Sequence, residues 1–297
     1  RRAILARYPD LPIDAARLAR GGQYNDILRV NDDLIFRFPR FPAGGAKLQT
    51  ELAILDGIRP FVTLPTPHAT YRSFAPPEVG AVFAGYRLLP GEPLLRETVA
   101  ALDPAATRAV AAQLAAFLRE LHAIPHREVI GGPLPLGGDV AATDWRAGWR
   151  DLHARIVARV FPEIDAAARA RIAAHFLPYL DDDAHFAFDL TLIHGDFGTG
   201  NILFDREAGA IGGVIDFGSA GLGDPACDLA AMLTYGEPFA RQILATYPAL
   251  APALPRARFY RGTFAAQEAL YGIEHDDPAA FAAGIAPYLD PAGANDG

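Results

Sequence analysis

The stretch from Leu192 to Asp228, LIHGDFGTGNILFDREAGAIGGVIDFGSAGLGDPACD, constrains the fold more than any other part of this 297-residue chain. It reads as short apolar strands that each run into an oxygen-bearing side chain. Leu192-Ile193 leads into His194-Gly195-Asp196, with Asn201 five residues beyond the aspartate. Ile202-Leu203-Phe204 enters a turn over Asp205 to Gly209, and Val214-Ile215 returns into Asp216-Phe217-Gly218. A hairpin of that length sets Asp216 beside Asn201, near a third oxygen-bearing group, Asp196. Hard oxygen donors on strand ends suit Mg²⁺, which takes one or two protein ligands and completes its shell with water and phosphate. Phosphoryl transfer uses that arrangement: one group orients the attacking hydroxyl while a cation holds the phosphates in line. His194, following an apolar strand, reads as a hydrogen-bonded structural group rather than a proton shuttle. A metallohydrolase built on the H-x-D pair would need more histidine ligands than the neighbourhood supplies.

The motifs resemble those of the aminoglycoside phosphotransferase family, relatives of the protein kinases. The family's H-G-D-x-x-x-x-N pattern stands as His194-Gly195-Asp196-Phe197-Gly198-Thr199-Gly200-Asn201, and its second pattern runs from Ile215-Asp216-Phe217 through Gly223-Asp224-Pro225 to Asp228-Leu229-Ala230. The resemblance implies an α+β, protein-kinase-like two-lobe fold. A β-rich nucleotide-binding lobe over 1–90 would end in a hinge, and a mainly helical lobe over 91–297 would carry the catalytic loop and the acceptor site. By the same resemblance Asp196 is the catalytic base, Asn201 and Asp216 carry Mg²⁺, and Asp228 braces the catalytic loop. ATP or GTP would be the phosphoryl donor.

Upstream, Asp26 to Val30 and Leu34 to Phe38 are β-type runs joined by the turn residues Asn31-Asp32-Asp33. In a kinase-like lobe this hairpin, preceded by Gly21-Gly22 and Tyr24, is the flap over the nucleotide phosphates. Where the family usually carries a phosphate-binding lysine, the run Leu34 to Arg40 offers Arg37. Arginine stays charged and can span two oxygens, with a geometry unlike that of lysine. A helix over Ala46 to Ile58 places Glu51 as the partner of Arg37, with a Lys47–Glu51 pair as the competing reading. Further strands are expected over His68 to Tyr71 and Ala81 to Tyr86. The strand signal then stops at Pro90-Gly91, and the resemblance makes this the hinge, with the backbone of Leu88 and Leu89 facing the purine base.

Beyond it the chain reads as helical. Asp103-Pro104 supplies a cap and a first-turn proline, and Val110, Leu114, Phe117, Leu118 and Leu121 repeat at helical spacing. Helices follow over Asp144 to Val160, Ile164 to Tyr179, Ala226 to Tyr235, Pro238 to Tyr247 and Pro255 to Ile273. Trp145 and Trp149 read as packing residues, Asp181-Asp182-Asp183 as a solvated loop, and the residues from Asp290 as a fraying end.

Only Ser219 to Gly223 separate Gly218 from Asp224, too few for the peptide platform of a protein kinase, so the acceptor is expected to be a small molecule. In this family the acceptor site lies among the C-terminal helices. Gln267 to Glu274 resembles the 2''-type aminoglycoside kinases, so Glu268 and Glu237 lead as partners for a cationic aminoglycoside. Kinases of a macrolide, choline, homoserine or sugar derivative share the core and remain the alternative. A metallophosphoesterase and a catalytically dead nucleotide-binding module are the other readings. Composition fits these expectations. The net charge of −8 and pI near 5.5 disfavour nucleic-acid binding. No apolar run reaches about 18 residues, which disfavours a membrane span. The lone Cys227 and the absence of a signal pattern at the start suit a cytoplasmic protein.

Overall fold

A computed structural model of the chain describes residues 1–19, 25–125 and 142–289. The protein separates into two compact units, Arg1–Leu136 with His194–Gly221 and Gly137–Ile193 with Leu222–Gly297.

The first unit opens with helix α1 (Arg2–Arg7) and an antiparallel sheet of β1 (Ala16–Ala19), β2 (Asn25–Val30), β3 (Leu34–Pro39), β4 (Ala69–Ser73) and β5 (Phe83–Arg87), in the order β1-β2-β3-β5-β4. The turn between β2 and β3 holds Asn31 and Asp32 at φ 51° and 62°. Asn and Asp enter that left-handed region more readily than other side-chain-bearing residues. The Asn31 side chain also anchors the preceding chain, accepting from the Asp14 and Ala15 amides and donating to the Pro12 carbonyl.

Alternation along β3 decides the rest. Phe36 turns to a fully buried face with Val30, Leu34, Phe83, Ile4 and Ile13, while Arg37 turns to the other. Phe36 and Phe83 meet edge to face at 5.8 Å, and truncating either to alanine should cost about 3–5 kcal/mol. Phe36 lies across Gly85, its cross-strand partner, where a Cβ would come within 2.4 Å of the ring. The helix expected from Ala46 begins four residues earlier, α2 (Pro42–Ile58), with proline in its first turn.

After β6 (Glu92–Pro93) and α3 (Arg96–Ala100) comes α4 (Pro104–His122). As expected from Asp103-Pro104, the Asp103 carboxylate caps α4 by accepting from the Ala105 and Ala106 amides at 2.7 and 2.9 Å. Strand β7 (Thr191–Ile193) belongs to the second unit. The chain then returns to the first unit with β8 (Ile202–Asp205) and β9 (Ala210–Val214), the hairpin expected from the motif, in a sheet ordered β6-β8-β9.

The second unit is mainly helical: α5 (Ala142–Arg159), α6 (Ala166–Asp181), α7 (Ala226–Met232), α8 (Glu237–Thr246), α9 (Leu254–Glu274) and α10 (Pro278–Leu289). Asp165 caps α6 through the Ala168 amide, and Asp182 caps a short 3₁₀ turn, so the acidic triplet shapes a helix exit. Helix α10 was not anticipated. Its contact with α9 runs through glycines: a Cβ on Gly272 would lie 2.3 Å from the Phe281 amide nitrogen, and one on Gly284 2.2 Å from that of Ala269.

A buried polar cluster fixes this unit. Asp224 is fully buried and accepts from Arg256 Nε and Nη2 at 2.6 and 2.9 Å, Tyr260 Oη at 2.8 Å and the Ala226 amide at 2.9 Å. Tyr260 Oη is in turn met by Trp145 Nε1 and Tyr179 Oη, and Trp149 stacks on its ring at 4.8 Å. Burial opposes the Arg256 charge, but its hydrogen bonds to Asp224 more than restore it, so the guanidinium pKa lies above its usual value. Burial, reinforced by the Asp224 charge, also pushes the Tyr260 phenol up. The tryptophans are therefore packing and hydrogen-bonding residues. No helix among the described residues is long and apolar enough to cross a membrane.

Candidate active site

The motif around His194 folds into a loop held by its own backbone. Gly195 has φ 78°, and a Cβ there would lie 2.4 Å from the Ser219 carbonyl oxygen, so the loop needs glycine for both conformation and space. His194 is fully buried. Its Nδ1 accepts from the Asp196 amide at 3.2 Å, which leaves Nε2 to donate to the Ile215 carbonyl at 3.0 Å. A ring held through both nitrogens in this way ties the loop to the end of β9. Phe197 is buried and stacks on Phe117 of α4 at 5.6 Å, pinning the next residue inward. Asp196, between these anchors, is exposed.

Asn201 closes the loop. Its Nδ2 donates to the Asp196 backbone carbonyl at 2.9 Å and to Asp196 Oδ2 at 2.8 Å. The amide oxygen is thereby turned away from the carboxylate. One hydrogen bond further, the Ile215 amide donates to the Asn201 carbonyl at 2.8 Å, extending the Ile202–Val214 pairing and setting Asp216 beside Asn201. Asp216 itself sits at φ 61°, ψ 69°. This left-handed conformation is uncommon for a residue with a side chain and collects at functional sites. Gly218 gives the carboxylate room, since a Cβ there would stand 3.3 Å from Asp216 Oδ1.

Arg37 and Glu51 meet as the sequence suggested, with Nη1 to Oε1 at 2.5 Å and both side chains largely buried. Arg37 Nη2 also reaches Asp216 Oδ1 at 3.6 Å. Burial works against the Arg37 charge, but Glu51, with smaller help from Tyr86 and Asp216, outweighs it and holds the guanidinium pKa above its ordinary value. These groups face one cavity of about 730 Å³. Ile27 of β2, Arg37 of β3 and Tyr86 of β5 share the sheet face opposite the Phe36 core, and α2 adds Lys47 and Glu51. Asp196 and Asp216 line it as well. All of these residues belong to the first unit.

The other expected site residues stand apart from this cavity. Leu88 and Leu89 do not line it, and the Leu88 amide already donates to the Asp33 carbonyl at 2.8 Å, so that N–H is taken. Tyr24 and Gly21-Gly22 lie outside the described residues. In the second unit Glu237 is held by Arg258 through two bonds of 2.8 and 3.0 Å, which draws its carboxyl pKa down. Glu268 is exposed on α9. Sequence reading overlooked Tyr86, although it lies two residues along the strand from Ala84, the partner of Arg37, and so shares its face. It also read Lys47 only as a rival partner for Glu51.

No three His, Cys, Asp or Glu side chains converge as a metal site among the described residues. Mg²⁺ asks for less, because phosphate and water fill most of its shell. Asn201, bonded to Asp196, and Asp216, one residue beyond the Ile215 that pairs with the Asn201 backbone, offer oxygen donors of the kind that ion takes.

A protein family described as the phosphotransferase enzyme family matches residues 15–260, and the chain belongs to it. A viomycin phosphotransferase from Streptomyces vinaceus is 32% identical over 204 residues, covering 67% of each chain. Among solved structures, the GDP and kanamycin complex of APH(2'')-IIIa is 26% identical with a TM-score of 0.87, covering 99% of this chain and 98% of that one. The macrolide 2'-phosphotransferase MphH from Brachybacterium faecium shares the fold at 24% identity and a TM-score of 0.70, covering 97% of both chains. The protein is thus a phosphotransferase of the protein-kinase-like α+β fold, related in structure to the aminoglycoside kinases.

Proposed function

We propose that this chain transfers the γ-phosphoryl group of ATP or GTP to a hydroxyl of an aminoglycoside antibiotic. The observation that carries the reading is the convergence of Asp196, Asp216 and the Arg37–Glu51 pair on one cavity, with Asn201 bonded to Asp196. Asp196 is exposed and oriented by Asn201, so it can accept a hydrogen bond from the acceptor hydroxyl and take its proton as the new P–O bond forms. Arg37, braced by Glu51, is the cation that steadies the nucleotide phosphates. Asn201 and Asp216 would hold Mg²⁺, which when bound supplies charge neutralisation for the transferring phosphoryl group. The purine would be read by main chain near Leu88 and Leu89, where the amide of Leu89 and the carbonyls are the groups left once the Leu88 N–H is taken. Tyr24 belongs to the phosphate flap in this scheme. The division into a nucleotide lobe over 1–90 and an acceptor lobe over 91–297 is part of the same proposal.

Aminoglycoside as acceptor is supported by the 26%-identical relative solved with kanamycin over nearly the whole chain. Glu268, exposed on α9, is the better placed of the two acidic candidates for an ammonium group, because Glu237 already has Arg258. A cytoplasmic location and a reducing environment for the single thiol of Cys227 complete the reading.

The test is nucleoside-diphosphate release with ATP and with GTP across aminoglycosides, macrolides and small amino alcohols. Release with an aminoglycoside is expected, and Asp196→Ala should lose about 10²–10⁴-fold in turnover, the usual scale for removing a general base, while still binding nucleotide. Unchanged turnover in that variant would sink the role of Asp196. Release only with a macrolide or amino alcohol would move the acceptor to that class.

A further inference from the structure

Two of the described residues that line the cavity carry a hydroxyl, Tyr86 and Ser219, and the scheme above uses neither. Tyr86 stands on the sheet face beside Arg37. Burial pushes its phenol pKa up, and the phenol is hydrogen-bonded to the Arg37 guanidinium. Ser219 is the opposite case. It is exposed, and it lies three residues beyond Asp216, at the end of a short 3₁₀ turn over Phe217–Ser219.

That turn is fixed on both sides. Phe217 and Ala220 are buried, and the Ala220 amide donates to the Phe217 carbonyl at 3.0 Å. Ser219 also rests on the loop that carries the base, since a Cβ on Gly195 would come within 3.3 Å of Ser219 Cβ. The serine is therefore held on fixed backbone, beside the residue that precedes Asp196, on the wall that Asp196 and Asp216 share. A serine hydroxyl is a weak nucleophile alone and is activated by an adjacent general base. Holding it in place lowers the entropic cost of bringing it to a bound phosphate.

We propose that Ser219 is an internal phosphoryl acceptor, modified in the chain's own cavity when no small-molecule acceptor is bound. The inference rests on the nucleotide reading and adds a second acceptor to it. Ser219 Oγ attacks the γ-phosphorus and forms the new P–O bond. The bond from that phosphorus to the β,γ-bridging oxygen breaks, the nucleoside diphosphate leaves with the electron pair, and the hydroxyl proton passes to Asp196. The phosphoserine carries about −1.5 to −2 charges at neutral pH. Set among Glu51, Asp196 and Asp216, it repels a second triphosphate, so the reaction stops after one turnover.

Incubating the full chain with Mg-ATP or Mg-GTP and no acceptor tests this. Intact-mass spectrometry should show one phosphate per chain, and peptide fragmentation should place it on Ser219. Nucleoside-diphosphate release should level off at one equivalent. The rate per chain should not change with protein concentration, as a reaction inside one molecule requires. Ser219→Ala and Asp196→Ala should both stay unmodified. Phosphate on another residue, a rate that rises with protein concentration, or steady diphosphate release from an unmodified chain would overturn the proposal. Triphosphate binding, followed by thermal shift on the same wild-type sample, separates the two readings. Binding with Ser219 left unmodified defeats the internal acceptor alone; no binding defeats the nucleotide reading and this proposal with it.

Discussion

Removing the carboxylate of Asp224 should unfold the second unit far more easily than its single methylene would suggest. Asp224→Ala strips four donors of their acceptor at once: Arg256 Nε and Nη2, Tyr260 Oη and the Ala226 amide. Tyr260 keeps Trp145 and Tyr179 as neighbours, and the Ala226 amide is one ordinary hydrogen bond. The guanidinium dominates the cost. Its side chain is only 12% exposed, so it remains as a largely buried charge without its counterion. Breaking a buried pair from one side costs about 3–5 kcal/mol, mostly the penalty on the survivor. Removing the survivor should then give stability back, so Asp224→Ala/Arg256→Met is expected to be more stable than Asp224→Ala by about 2 kcal/mol or more, on the same reasoning. Urea unfolding followed by tryptophan fluorescence reads this unit selectively, because the protein's two tryptophans, Trp145 and Trp149, both lie against Tyr260. A double variant no more stable than Asp224→Ala would refute the argument, since the loss would then come from the vacated space and not from the stranded charge.

Gly195→Ala should destabilise the catalytic loop by about 1–2 kcal/mol for the positive φ alone, and by more where the new Cβ meets Ser219; activity should fall with the thermal midpoint. His153 stacks on Phe176 with a buried, unpartnered Nε2, and burial lowers its pKa below 6.5. The unfolded chain therefore binds that proton first, so stability is full above pH 6.5 and declines as pH falls through the lowered value. His153→Phe should flatten this part of the pH–stability curve, and an unchanged slope between pH 7 and 5 would exclude His153 as its source. A nucleoside triphosphate at 100 times its Kd should stabilise the protein by about 2.7 kcal/mol. The thermal shift should vanish with EDTA and return with Mg²⁺; a shift indifferent to the cation would argue against Asn201 and Asp216 as its ligands.

Local signals survived translation into structure well. Asp103-Pro104 started a helix where a capping carboxylate and a proline said it would, and Asn31-Asp32 turned the first hairpin. The loop from His194 to Asn201 was legible because nearly all its bonds are made within about twenty residues. What stayed hidden depends on distance along the chain. Arg256 and Tyr260 sit 32 and 36 residues from Asp224, and nothing near them marks them as its partners. Helix α10 escaped because its Ala-rich sequence has little amphipathic contrast, and it packs chiefly against α9. The proposed hinge rests on a Pro-Gly break, and a main-chain contact leaves no trace in side-chain identity, so the sequence could not reveal that the Leu88 N–H is already engaged by Asp33.

The glycines between α9 and α10 have a consequence for how this protein can be handled. Where most helix pairs are spaced by a layer of side chains, here main chain rests against main chain at Gly272 and Gly284. Deleting the last helix would therefore strip the cover from the backbone of α9, the helix that carries Arg256 and Tyr260. A purification tag or fusion partner belongs after Leu289; a cut before Pro278 would remove a wall of the second unit.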